Sequence, residues 1–136
     1  MLAASMWILT SVLVLQTPAS ARAALEFDFF RTRVEPIFLK KREGRARCYV
    51  CHSRGTWFRL QPLSPGSTSW NEEQSQKNFE AAKRMVKPSD PMASRLLSMP
   101  LSEEAGGAPF HPGGRHFESK DDPEWKTLDE WVRSRP

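Results

Sequence analysis

The sequence predicts a small all-α fold, about three helices joined by long loops, and three observations predict it. Apolar residues recur at spacings of three and four in three separate stretches. Each stretch carries a cap or a proline that marks a start, a kink or a stop. No pair of segments alternates convincingly between apolar and polar, so no strand pair is expected.

The first helix is expected over roughly residues 26–39, with Phe27, Phe30, Val34 and Ile37 on one face. Pro36 lies inside that pattern and predicts a kink or the end of its regular part. The second begins near Trp70, where Ser69 and Glu72 are spaced as a capping box. Phe79, Ala82 and Met85 or Val86 form its apolar stripe, and Pro88 stops it. The last opens at Asp121-Asp122-Pro123, a carboxylate cap followed by a proline suited to the first turn. Trp125, Leu128, Trp131 and Val132 give it a buried face. The segments between are long: 55–69 is rich in Gly, Pro, Ser and Thr, and 102–120 holds Gly106, Gly107, Gly113 and Gly114. An ordinary small domain rarely tolerates so much irregular chain, whereas loops can wrap a buried prosthetic group.

Cys48-Tyr49-Val50-Cys51-His52 supplies such a group. It is the C-x-x-C-H pattern of c-type haem attachment. Two intervening residues set both sulfurs on one side of a single turn, where each can form a thioether to one haem vinyl group. The adjacent imidazole then reaches the iron from the proximal side. The chain contains 2 cysteines, and the motif uses both. Other uses of these residues fit less well. A zinc site with Cys48, Cys51, His111 and His116 needs a far shorter gap between Cys51 and His111. A thioredoxin-like pair needs a βαβ pattern, which is missing. A Cys48–Cys51 disulfide leaves His52 unexplained. The expected cofactor is therefore one covalent haem c with its iron.

The beginning of the chain agrees with export. Residues 6–15 form a short apolar run, followed by Thr17-Pro18-Ala19-Ser20-Ala21-Arg22-Ala23, the small-residue pattern of a signal-peptide cleavage site. Cleavage is expected near Ala21 or Ala23, leaving residues 24–136 as one haem-bearing domain in the periplasm or otherwise exported. The run is too short to span a bilayer comfortably, so no membrane span is expected in the mature chain. Residues 2–5 lack Lys and Arg, which departs from the usual leader, and no cysteine follows the run for lipidation. Haem attachment to reduced cysteines outside the cytoplasm matches this route.

The formal net charge is +4. Arg31, Arg33, Lys40, Lys41, Arg42, Arg45 and Arg47 crowd the stretch before the motif, while acidic residues gather later. Such a face is either simply solvated or docks an acidic redox partner, where charge raises the encounter rate. Nucleic acid is not an expected partner, because no aromatic-interleaved binding motif accompanies the charge. Arg42, Arg45 and Arg47 are candidates to pair with haem propionates.

His52 is the expected proximal ligand, and Met85, Met92, Met99, His111 and His116 are the distal candidates. Met85 belongs to a helix stripe and Met92 follows a polar turn, so core and surface positions are expected for them. Met99-Pro100 is a plausible loop ligand. His111 lies in Pro109-Phe110-His111-Pro112-Gly113-Gly114, where prolines stiffen the backbone and glycines allow close approach to a ring.

Across about residues 27–132 the chain resembles the compact cytochrome c domains of secreted planctomycete and acidobacterial proteins. The matching pieces are Val34-Glu35-Pro36-Ile37-Phe38, the haem motif itself, and Val86-Lys87-Pro88-Ser89-Asp90-Pro91. Ser94-Arg95-Leu96-Leu97 and the closing Leu128-Asp129-Glu130-Trp131-Val132 follow in the family's order. Ser89 stands where a glycine is usual. The resemblance implies a mono-haem cytochrome c-like fold. Many members carry a distal Met-Pro-Pro before the last helix, and others carry a His followed by glycines. His111-Pro112-Gly113-Gly114 is similar to the second variant, which favours His111 over Met99, twelve residues earlier. The expected function is electron transfer without substrate chemistry, as a carrier or as a subunit of a larger exported redox complex. The competing expectation is a ligand-binding or peroxidase-like haem protein with an open distal site.

Overall fold

The computed structural model describes residues 19–134. The apolar run of the expected leader lies outside the described residues. Ala21 and Ala23, the expected cleavage positions, fall within the first helix.

All regular structure among the described residues is helical. α1 (Ala19–Phe29) runs through a π turn (Phe30–Val34) into α2 (Glu35–Leu39). The kink predicted at Pro36 takes this form for a physical reason. Proline has no N–H to give the preceding turn, and its ring crowds the carbonyl of Thr32. Widening the helix across 30–34 relieves both, and the Glu35 N–H reaches back five residues to the Phe30 carbonyl.

The attachment motif forms its own turn, α3 (Cys48–His52). α4 (Glu72–Lys83) starts two residues later than the Ser69–Glu72 pairing predicts. The capping box is Asn71 with Gln74: the Gln74 N–H donates to Asn71 Oδ1 at 2.9 Å, and the Asn71 N–H donates to Gln74 Oε1 at 3.0 Å. The Ser67 hydroxyl bonds the Ser69 carbonyl, leaving Ser69 in the preceding turn. α4 ends at Lys83, before Pro88 could stop it. A 3₁₀ turn (Pro91–Ala93) and α5 (Arg95–Ser98) follow. α6 (Pro123–Arg133) is as expected, with Asp122 accepting from the Glu124 and Trp125 N–H groups and Pro123 at the first position.

Phe30, Phe79 and Trp131 meet in an aromatic triangle, with ring centroids 5.4 Å apart for Phe30–Phe79, 5.1 Å for Phe30–Trp131 and 6.0 Å for Phe79–Trp131. Each comes from a different part of the chain, so this cluster ties the first helical rod, α4 and α6 into one core. Trp125 adds a bond from its indole N–H to the Leu97 carbonyl at 3.2 Å, fixing α5 to α6. The 99–117 loop closes at its neck. The His116 and Phe117 N–H groups both reach the Pro100 carbonyl, at 2.8 and 3.0 Å, and the Ser102 N–H reaches the Phe117 carbonyl at 2.9 Å. His111 is thus carried on a loop whose two ends are tied together.

Candidate functional site

α2, α3, α5 and the 99–117 loop surround a cavity of about 410 Å³. That volume lies within the range of about 300–1,000 Å³ usual for small-molecule and cofactor sites. Its walls are chiefly apolar, with Cys48, Cys51 and His52 on one part and His111 and His116 on another.

His52 comes from the last residue of α3 and is oriented by the loop that follows. Its Nδ1 lies 2.8 Å from the Phe58 carbonyl oxygen and 2.9 Å from the Thr56 hydroxyl. A carbonyl can only accept, so Nδ1 carries the proton and Nε2 keeps its lone pair. Burial pushes the His52 pKa down, and His111 adds to that; the bond to Phe58 opposes it. Phe58 packs against the imidazole at 4.9 Å between centroids and against Phe38 at 5.5 Å, which limits the swing of the ring.

His111 repeats this arrangement. Its Nδ1 lies 2.7 Å from the Gly114 carbonyl, again leaving Nε2 with the lone pair. Gly114 adopts φ +79°, a backbone conformation that favours glycine and turns its carbonyl back toward the ring. Gly113 packs under the imidazole: a Cβ added there would sit 3.3 Å from His111 Cε1. The His52 and His111 rings are 22° from parallel, with centroids 6.2 Å apart. Two imidazoles each bonded at about 2.0–2.1 Å to opposite sides of one ion would have centroids about 6 Å apart.

His116 is a third imidazole in the same cavity, 6.3 Å from His111 between centroids. Burial, reinforced by Arg42, His111, Arg45 and His52, lowers its pKa to about 4. Its Nδ1 is buried without a hydrogen-bond partner. Met99 also lines the cavity, as does Met85, which at the same time packs against the core. Met92, expected at the surface, is half-buried against the core and outside the cavity lining.

Cys48 and Cys51 carry free thiols. Burial raises the Cys48 pKa, against the opposing pull of Arg42, so that sulfur is held as a neutral thiol. The zinc set of Cys48, Cys51, His111 and His116 is not assembled: no group of three or more His, Cys, Asp and Glu side chains suited to a metal ion occurs among the described residues. The imidazoles of His52, His111 and His116 and the thiols of Cys48 and Cys51 thus line one largely apolar chamber.

Three arginines were candidates for haem propionates, and the structure separates them. Arg42 is ion-paired with Glu124, which also takes Lys40 at 2.6 Å, and lies over the Phe117 ring at 5.2 Å. Arg45 pairs with Glu118 at 3.3 Å. Arg47 lines the cavity and has no ion pair among the described residues; Arg95, which sequence reasoning missed, is in the same position. Among the aromatic residues near the motif and on the 99–117 loop, Phe58 is packed against Phe38 and His52, whereas Trp57 is 91% exposed and Phe110 72% exposed.

Compared with protein-family models, curated proteins and solved structures, the chain finds no match. Among the described residues no helix is long and apolar enough to cross a membrane.

Proposed function

We propose that the chain is an exported mono-haem c-type cytochrome that transfers electrons, with Cys48 and Cys51 as thioether attachments and His52 and His111 as axial ligands. One observation carries the reading. Beside the C-x-x-C-H turn, two imidazoles lie 6.2 Å apart, each with Nδ1 spent on a backbone carbonyl and Nε2 free to ligate.

A haem bound here supplies one-electron exchange between ferric and ferrous iron, with no substrate bond made or broken. The chain's own residues supply the rest. The carbonyls of Phe58 and Gly114 hold the ring protons and fix both imidazoles in one tautomer. Phe38, Phe58, Leu96 and Leu128 line the chamber with apolar surface and exclude water from it. A second imidazole in place of a thioether favours ferric iron, so a relatively low potential is expected. Lys41, Arg47, Arg54 and Arg59, exposed near the motif and without ion pairs among the described residues, suit an acidic redox partner. The same docking is open to a free carrier and to a subunit of a larger complex.

The decisive experiment is an absorption spectrum of the protein from a host with cytochrome c maturation, before and after acidic organic extraction. Haem that stays with the polypeptide, and is lost in the Cys48→Ala/Cys51→Ala variant, supports the reading. A colourless protein overturns it. A second reading, a ligand-binding or peroxidase-like haem protein, is favoured by the unpartnered Nδ1 of His116 in the cavity. Carbon monoxide separates the two, because a six-coordinate carrier ignores it and an open site binds it.

A further inference from the structure

Glu35 is a carboxylate in the core, only 5% exposed, and among the described residues no ion pair holds it. Its partners are neutral and lie far away in sequence. The Ser75 hydroxyl donates to Oε2 at 2.7 Å, and the Asn78 side-chain NH₂ donates to Oε1 at 3.1 Å. Burial raises its pKa, while these two donors and the charge of Arg31 pull the other way. Leaving a carboxyl in this place is costly unless it does something that an apolar side chain cannot.

What it does is decide which way the Asn78 amide faces. With NH₂ committed to Glu35, the amide oxygen points to the opposite side and accepts the Gln61 N–H at 2.7 Å. The Gln61 carbonyl accepts the Trp70 indole N–H at 2.7 Å, so both backbone groups of Gln61 are pinned. Immediately before it, the Leu60 N–H donates to the His52 carbonyl at 2.9 Å, and the Phe58 carbonyl takes the His52 ring proton at 2.8 Å. The segment 58–61 is therefore bonded to His52 at one end and to the buried amide at the other.

We propose that Glu35 is a positioning residue for His52, acting through Asn78 and the 58–61 segment to hold the Phe58 carbonyl against the imidazole. The proposal deepens the ligand role assigned to His52 above and rests on it for its functional meaning. Its geometry is independent of haem. A carboxyl on the first helical rod thus sets the tautomer of a ring seventeen residues later, because Asn78 can serve Gln61 only while its NH₂ has somewhere else to go.

The test reads the His52 ring nitrogens and the exchange of its Nδ1 proton by ¹⁵N NMR, on the full chain as purified, in the reduced state if it carries haem. Glu35→Gln is expected to keep the protection, since an amide can still accept from Asn78 and donate to the Ser75 oxygen. Glu35→Ala leaves the Asn78 NH₂ without a partner and is expected to speed Nδ1 and Leu60 N–H exchange at least about tenfold. Amides in α6 keep their wild-type rates. If Glu35→Ala does not fold, Glu35→Asp, too short to reach both donors, gives the same comparison. Wild-type exchange at His52 in these variants overturns the proposal, and so does equal acceleration in α6, which would make Glu35 a general stabiliser. A colourless protein with the predicted exchange pattern would overturn the cytochrome reading alone.

Discussion

The imidazoles of His52 and His111 lie 22° from parallel with centroids 6.2 Å apart, and each is held by a carbonyl of its own local loop. The two supports differ. His52 is fixed by a segment anchored in the core through Gln61 and Asn78. His111 is fixed within its own turn, three residues from the carbonyl it uses. The His52 side is thus the better braced, and under the proposed haem reading ligand exchange is expected to be easier on the His111 side.

Removing the His111 imidazole tests the proposed ligand pairing. In the reduced protein His111→Ala is expected to bind carbon monoxide promptly, while Met99→Ala stays as inert as the wild type. His111→Met, offering a thioether, is expected to raise the reduction potential. A far-red sulfur-to-iron band in the wild type, lost in Met99→Ala, would reverse the assignment. Voltammetry and carbon monoxide difference spectra read both outcomes.

Glycines of the 99–117 loop separate ring placement from loop closure. A Cβ on Gly113 would meet the His111 ring first, at 3.3 Å from Cε1. Gly113→Ala is expected to cost less than about 1.5 kcal/mol while shifting the spectrum and potential. A Cβ on Gly107 would lie 2.0 Å from the Leu101 carbonyl oxygen, and backbone cannot yield as a side chain does. Gly107→Ala is expected to cost more than about 3 kcal/mol and to loosen the whole loop. Paired thermal melts and spectra of the two variants check the contrast.

Much of this architecture was legible in local sequence. α6 declared its cap, first-turn proline and apolar stripe within eleven residues, and all were borne out. Pro36 announced a distortion but not its kind, since a π turn and a sharp bend relieve the same clash. α4 starts later than the Ser69–Glu72 spacing predicts because Ser, Asn and Gln in that stretch offer competing caps, and the preceding turn already holds the Ser69 backbone through the Ser67 hydroxyl, which leaves the cap to Asn71 and Gln74. α5 and the 3₁₀ turn, four and three residues long, are too short to show a period. The buried bonds of Glu35 span 40 and 43 residues, beyond any local pattern. At the site, the spacing of Cys48, Cys51 and His52 sets them on one turn, and that turn lines the cavity. The cavity role of Arg95 was not legible in local sequence, because it arises only when α5 packs beside the motif.

Trp131 is the keystone of the aromatic triangle and is fully buried. Trp131→Ala is expected to cost about 3–5 kcal/mol, through lost burial and the cavity left between three helices. Asp122→Ala, which removes only the α6 cap, is expected to cost about 1 kcal/mol. Chemical denaturation of both variants orders them, and a similar cost for the two would mean that α6 is held by its cap as much as by its packing.

Glu35 also gives stability a specific dependence on pH. Its folded pKa lies above the unfolded value of 4.5, with burial as the chief cause. In the window from 4.5 up to the folded pKa, the folded chain binds the proton more tightly than the unfolded chain. This group's contribution is therefore fully present below pH 4.5 and is lost as pH rises through that window. Glu35→Gln removes the titration and keeps a side chain of nearly the same shape. Its melting temperature, measured relative to wild type, is expected to rise between pH 4 and pH 7, with the two proteins closest at the acid end. Arg31 is the charged group that acts on this carboxyl, so Arg31→Gln is expected to widen the window by removing a charge that favours the ionised form. A difference that stays flat across the range would mean that the carboxyl titrates in the folded protein as it does in the unfolded chain.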